Sequence, residues 1–428
     1  MGTVWKSRYA QRNQRMGRSL IRELLKFAVQ PDIISFAGGL PAPELFPIDR
    51  CAEAAEWVLR EHGPSSLQYG LTEGYLPLRE FICQQMSRYG IRAEANNVLI
   101  TNGSQQALDL IGKLLVNPGD RILVEEPTYL GALQAWNAYM AEYVSIGEAA
   151  EAPWTDRLES ALRVGPKFMY LLPNFQNPGG TTLSLDQRHA LVRLSNKYGI
   201  PIVEDDPYGA LRFEGEHIRP LVAIDADYQA SSGLNGHGFM EGNVIYLGTF
   251  SKTLAPGLRL GWVVAPVDVV DQLVIGKQGA DLHTGSLAQM LAFEVAKDGF
   301  LEEHVRLIRR VYRERRDVML AALEQHFPPG CSWTRPEGGL FLWARVPDWI
   351  DTAELLSEAV QRKVAYVPGL AFYAEPAKGR NAMRLNFSNA RPEDIEEGIL
   401  RLGMLLEEAI GRRAATQPDP AARQSGSC

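Results

Sequence analysis

The sequence predicts an α/β protein: a mostly parallel central sheet flanked by helices, joined to a smaller α+β domain. Three observations carry that expectation. Short β-rich apolar runs alternate with helical patterns from about residue 96 to 265. Polar motifs follow those runs, at the carboxyl strand ends where open α/β sheets bind ligands. The chain, at 428 residues, is long enough for two domains and a large core.

The first 22 residues carry Lys6, Arg8, Arg12, Arg15, Arg18 and Arg22 with no acid before Glu23. They lack the apolar centre of a secretory signal and read as a basic arm, a transit peptide being the alternative. Strands are expected over residues 98–101, 121–124, 168–172, 200–203 and 244–247, with helices over 104–116 and 185–197 between them. The Gly-rich stretch 231–238 reads as a surface insertion. A long helical pattern from Phe300 to His326 links two domains. Beyond Ser332, strands over 339–344 and 383–387 and helices over 353–362 and 392–410 make the α+β part. The expected divisions are 1–30 (arm and substrate-covering helix), 31–60 (start of the small domain), 61–298 (large domain), 299–412 (small domain) and 413–428 (disordered tail).

Net charge is −7, which gives no reason to expect nucleic acid or an anionic membrane. No apolar run approaches a membrane span. Cys51, Cys83, Cys331 and Cys428 lack metal-ligand spacing and read as reduced thiols of a cytoplasmic protein.

Lys252 is the centre of the chemistry. It lies just past the Val244–Leu247 run, in Gly248-Thr249-Phe250-Ser251-Lys252, with Arg259 seven residues on. Such a lysine can form an imine with an aldehyde cofactor, while Thr249, Ser251 and Arg259 hold a phosphate. That is the equipment for pyridoxal phosphate. Thr101-Asn102-Gly103-Ser104-Gln105 follows a strand and opens a helix, so its N–H groups and the Ser104 hydroxyl suit an anion; an ordinary N-cap is the plainer reading. Asn177, in the turn Asn174-Phe175-Gln176-Asn177-Pro178-Gly179, can donate to a phenolate or simply form the turn. In Glu204-Asp205-Asp206-Pro207-Tyr208 a carboxylate can pair with a ring nitrogen, and Tyr208 can donate to the phenolate. A magnesium site is the alternative there, though adjacent strand residues face opposite ways, and no metal is expected. Tyr129 can stack on a cofactor or pack in the core. Arg384, in an apolar run, suits a substrate carboxylate or a structural ion pair.

In order, SQQAL, EPTY, FQNPGG, EDDPY, TFSKTLAPGLRLGW and MRLNF resemble the class I/II aminotransferases of pyridoxal-phosphate fold type I. The nearest likeness is to the 2-aminoadipate and kynurenine aminotransferase group. The stretches 35–47, 67–70, 277–284 and 335–341 share it, and it covers about residues 15 to 410. The resemblance implies that Lys252 joins the cofactor and shuttles the proton between Cα and C4′. It implies Asp205 on the pyridinium nitrogen, chosen over Asp206 by the D-x-x-Y spacing, and Asn177 and Tyr208 on the phenolate. Ser104, Gln105, Thr249, Ser251 and Arg259 would bind the phosphate, joined by Tyr69 from a partner subunit. Tyr129 would stack on the ring. Arg384 and Asn177 would take the substrate carboxylate, with Gly39 lining the site. Ser19-Leu20-Ile21-Arg22 resembles the helix that covers substrate in the 2-aminoadipate enzymes, so Arg22 would meet an acidic side chain.

The expected protein is a homodimeric aminotransferase. It would use 2-aminoadipate, glutamate, aromatic or branched L-amino acids, with 2-oxoglutarate as acceptor. A lyase or decarboxylase on the same fold is the alternative. A regulator of the MocR type would carry a winged-helix domain ahead of the 35–47 segment, for which the preceding residues are too few.

Overall fold

The expected alternation of strand and helix builds a seven-stranded sheet. The computed structural model describes residues 4–17, 32–146, 153–231, 241–375 and 378–416. Arg22 and the helix expected around it, nearly all of the Gly-rich stretch and the tail beyond 416 lie outside the described residues. In chain order the strands are β1 (Ile34–Ser35), β2 (Val98–Thr101), β3 (Arg121–Val124), β4 (Glu142–Ser145), β5 (Met169–Leu171), β6 (Ile202–Asp205), β7 (Val244–Thr249) and β8 (Gly261–Val264). The sheet runs β2-β8-β7-β6-β5-β3-β4. Only β8 is reversed: it pairs antiparallel with both β2 and β7, while β7, β6, β5, β3 and β4 pair in parallel. Six strands therefore end on one edge.

Every residue of β2, β5, β6, β7 and β8 is buried, as strands covered by helices on both faces must be. Helix Ser104–Leu115 turns Ala107, Leu108, Leu110 and Ile111 inward. Helix Leu185–Tyr198 starts at a capping box, Ser184 with Gln187, and stops at Gly199.

The contacts divide into two units. The first takes in residues 4–17, Pro43–Arg310 and Pro336–Gly339; the second takes in residues 32–42, Val311–Arg335 and 340–416. The division falls inside helix Phe300–His326, between Arg310 and Val311, whereas the expected boundary lies before that helix, at 298/299. The second unit has β9 (Ser332–Trp333), β10 (Phe341–Arg345), β11 (Val364–Ala365), β12 (Val367–Pro368) and β13 (Ala382–Asn386). There β12-β13-β10-β9 form an antiparallel sheet, and β1 pairs with β11. Helices Thr352–Gln361 and Pro392–Thr416 accompany them. No helix among the described residues is long and apolar enough to cross a membrane.

Candidate active site

Gly103 ends the β2 loop with φ of 75°, a left-handed conformation that favours glycine. A Cβ there would also lie 2.7 Å from Arg259 Nη2, so the guanidinium rests directly on this turn. Arg259 Nη2 reaches the Asn102 carbonyl at 3.4 Å, and Nη1 reaches that of Pro256 at 3.2 Å. Gly103 offers no side chain to cap helix Ser104–Leu115, and the buried Ser104 Oγ has no hydrogen-bond partner. A helix N-terminus, an orphaned hydroxyl and a guanidinium together make a site for a phosphate. Gln105 directs its side chain elsewhere, donating from Nε2 to the Gly131 carbonyl at 2.8 Å. Its backbone N–H is what it can offer an anion. The Tyr129 ring folds onto Gly131, so these contacts tie the loops after β2 and β3 together.

Thr249 closes β7. Its Oγ1 donates to the Leu260 carbonyl at 3.0 Å, accepts from Ser251 N at 3.1 Å and lies 3.0 Å from Ser251 Oγ. The Thr249 and Ser251 hydroxyls are thus held side by side in this turn. Lys252, half-buried, follows in the same turn, which is closed by Leu254 N to Phe250 O at 2.9 Å.

Glu204, Asp205 and Asp206 take three directions. Glu204 accepts from Leu221 N and Val222 N, both at 2.9 Å, at the start of helix Leu221–Ser231. Asp206 accepts from Asn174 Nδ2 at 3.0 Å, Gly209 N at 2.8 Å and Tyr246 Oη at 3.1 Å. Asp205 Oδ2 accepts from Tyr170 Oη at 2.8 Å, while its buried Oδ1 has no partner. Burial raises the Asp205 carboxyl to about 7; the Tyr170 hydrogen bond opposes the shift and the Asp206 charge adds to it. A cationic ring nitrogen opposite Oδ1 would satisfy the orphaned oxygen and hold it ionised. Tyr208 is buried, and its hydroxyl accepts from Asn177 Nδ2 at 3.5 Å.

Tyr69 projects from this unit 78% exposed, edge-on to His283 at 5.9 Å. In the second unit, Arg384 is 1% exposed on β13. Its guanidinium lies 4.2 Å from the Phe341 ring centre and 5.0 Å from that of Phe372, and Nη2 donates to Ala37 O at 2.7 Å. Gly39 stands on the same ring: a Cβ there would meet Phe341 Cζ at 3.1 Å. Arg384, Phe341 and Gly39 are thus gathered in one unit, and the cofactor candidates in the other.

Sequence reasoning missed Tyr170 and a partly buried polar cluster around the buried Lys277, with Asp281, Gln106 and Asn102. The i,i+4 spacing of Lys277 and Asp281 was the available signal for the second. The two orphaned oxygens, Ser104 Oγ and Asp205 Oδ1, match the phosphate and ring nitrogen of pyridoxal phosphate.

Residues 32–402 match the family described as aminotransferase class I and II. Aromatic-amino-acid aminotransferase 1 of Thermococcus litoralis is 45% identical over 402 residues, covering 92% of this chain and 93% of the relative. The 2-aminoadipate transaminase of Thermus thermophilus is 43% identical over 404 residues, covering 94% and 97%. The crystal structure of the alpha-aminoadipate aminotransferase LysN from Thermus thermophilus, complexed with N-(5'-phosphopyridoxyl)-L-leucine, superposes with a TM-score of 0.86 at 41% identity, over 96% of this chain and all (100%) of that one.

Proposed function

The chain belongs to the aminotransferases of class I and II and works with pyridoxal phosphate on fold type I; from that premise we propose that it draws on a broad set of L-amino acids. The donors are 2-aminoadipate, glutamate, aromatic and branched amino acids, and the first acceptor is 2-oxoglutarate, in a ping-pong sequence. The observation that carries the breadth is the range of its relatives. At 43% and 45% identity one is named for 2-aminoadipate and one for aromatic amino acids, and the solved structure holds a leucine adduct.

The bound cofactor supplies an electron sink for the Cα–H bond. Lys252 would join the cofactor's aldehyde carbon and would be the group that carries the proton to and from the substrate Cα. Asp205 holds the ring nitrogen charged, with Asn177 and Tyr208 on the phenolate and Tyr129 against the ring. Ser104, Gln105, Thr249, Ser251 and Arg259 bind the phosphate, and Thr249 also holds the Ser251 turn in shape. Arg384, with Gly39 in the same unit, is the proposed receptor of the substrate carboxylate, and Asn177 is a second candidate ligand for it. Tyr69 completes the phosphate site of a second copy in a homodimer, a role to which its exposure is suited. The free thiols Cys51, Cys83 and Cys331 support a reducing, cytoplasmic setting.

The test is a screen of the standard amino acids, 2-aminoadipate and kynurenine with 2-oxoglutarate. Acidic, aromatic and branched donors should each yield their 2-oxo acid and glutamate. Loss of carbon dioxide or of a side-chain fragment would point to a lyase instead. Arg22→Ala should lower kcat/KM for 2-aminoadipate and glutamate by about 1–3 kcal/mol, with little change for leucine or phenylalanine. A uniform loss on both classes would remove Arg22 from substrate recognition.

A further inference from the structure

We propose that Asp281 is a positioning residue for the cofactor's phosphate: held by Lys277, it clamps Asn102, from which the anion-binding turn hangs. The inference rests on the reading of Ser104 and Arg259 as phosphate ligands. Asn102 immediately precedes Gly103 and Ser104 and is gripped at three points. Its Nδ2 donates to Asp281 Oδ2 at 2.5 Å. Its backbone N–H donates to Gln106 Oε1 at 2.8 Å. Its carbonyl receives Arg259 Nη2 at 3.4 Å. Asp281 and Gln106 are themselves locked. Gln106 Nε2 donates to Asp281 Oδ2 at 2.7 Å, and Lys277 Nζ donates to Gln106 Oε1 and to both Asp281 oxygens, each at 2.8 Å.

The Lys277 side chain is 0% exposed. Burying a charge such as that of Lys277 costs desolvation before attraction offsets it, so the pair with the part-exposed Asp281 is poor evidence of added stability. It does fix geometry. Here the fixed object is one loop, and the groups hung on that loop are those that face the phosphate. The same residue also shapes a second part of the site. Asp281 O accepts from His283 N at 2.8 Å across Leu282, whose φ is 68°, left-handed and strained for a leucine. His283 Nε2 then accepts from Gly70 N at 3.2 Å, next to Tyr69. The Asp281 side chain thus holds the helix-start turn, while its backbone carbonyl is tied to the His283 segment beside Tyr69.

A clamp of this kind acts only on the phosphate end, which gives a readout independent of turnover. Apoprotein would be titrated with pyridoxal phosphate and with pyridoxal, which lacks the phosphate, following absorbance. Asp281→Asn should raise the Kd for pyridoxal phosphate roughly tenfold while moving that for pyridoxal by less than about twofold, the scale of one lost charge-assisted hydrogen bond. Inorganic phosphate should raise the Tm of the wild-type apoprotein and raise that of the variant less. Asn102→Ala cuts the same link and leaves the Lys277–Asp281 pair intact, so it carries the test if Asp281→Asn does not fold. Ser104→Ala is the control. If Ser104→Ala changes the ratio of the two affinities and neither clamp variant does, the clamp is refuted and the phosphate reading stands. If Ser104→Ala leaves the ratio unchanged, the phosphate reading falls and the clamp falls with it. Equal losses for both ligands in the clamp variants would show a merely structural cluster.

Discussion

Asp206 uses both carboxylate oxygens on the protein, whereas Asp205 Oδ1 has no partner. The two should therefore respond differently to the same change. Asp205→Asn should slow the amino-transfer half-reaction by orders of magnitude, since an uncharged ring nitrogen is a poor electron sink. Asp206→Asn should slow it far less and instead lower the urea midpoint, since several hydrogen bonds are weakened at about 1 kcal/mol each. Rapid-mixing absorbance and urea titration on both variants measure this, and reversed effects would move the role to Asp206. Lys252→Ala should keep non-covalent cofactor, lose transfer by several orders of magnitude and no longer fix the cofactor under borohydride. Near-normal turnover in that variant would defeat the assignment. At this scale the D-x-x-Y spacing to Tyr208 was legible. Tyr170 was not, because it reaches Asp205 from a neighbouring strand, 35 residues earlier in the chain.

The strands β2, β3 and β7 were legible as apolar runs, and β6 lies two residues later than its run suggested, at Ile202–Asp205. Its last two residues are acids, which on sequence grounds read as lying beyond a strand end. They stay inside because each has a partner from another element: helix Leu221–Ser231 offers N–H groups to Glu204, and Tyr170 on β5 serves Asp205. Helix Ile48–Ser66 was hidden by Gly63 and Pro64 and is kinked at His62. On β13, Arg384 was legible as a cation in an apolar run; its seat between the Phe341 and Phe372 rings was not. Arg384→Ala should weaken every α-amino acid donor by about 2–5 kcal/mol. Arg384→Lys should recover only part of that loss, because an ammonium does not make the paired contact of a guanidinium. Donor affinities equal to wild type in both variants would make Arg384 a structural residue.

Three carboxyls, the buried Glu204 and Asp205 and the half-buried Glu125, bear on the stability of the whole chain. Burial raises Glu125 to about 8 and Glu204 and Asp205 to about 7. Each binds its proton more tightly folded than unfolded, so between the usual carboxylate range and about 8 the folded state holds more protons. Apoprotein stability from these groups should therefore be greatest in mild acid and fall as pH rises through neutrality. Urea midpoints at about pH 5.5 and about pH 8.5 measure it, and Asp205→Asn should flatten the slope. A midpoint that rises over this interval, in wild type and variant alike, would contradict the three shifts. The division of the chain was less legible than its strands, because helix Phe300–His326 passes from one unit to the other without a glycine or proline to mark the place.

The orphaned Oδ1 of Asp205 has a further consequence, in proton number. If Asp205 pairs with the ring nitrogen as proposed, the two groups would need one proton between them, placed on the nitrogen. In strong acid each arrives with its own and one must leave; in base neither brings one and the complex must draw it from water. Cofactor loading should thus have a bell-shaped dependence on pH, and the Asp205 carboxyl, near 7 before loading, places its acid limb within the range where the enzyme is handled.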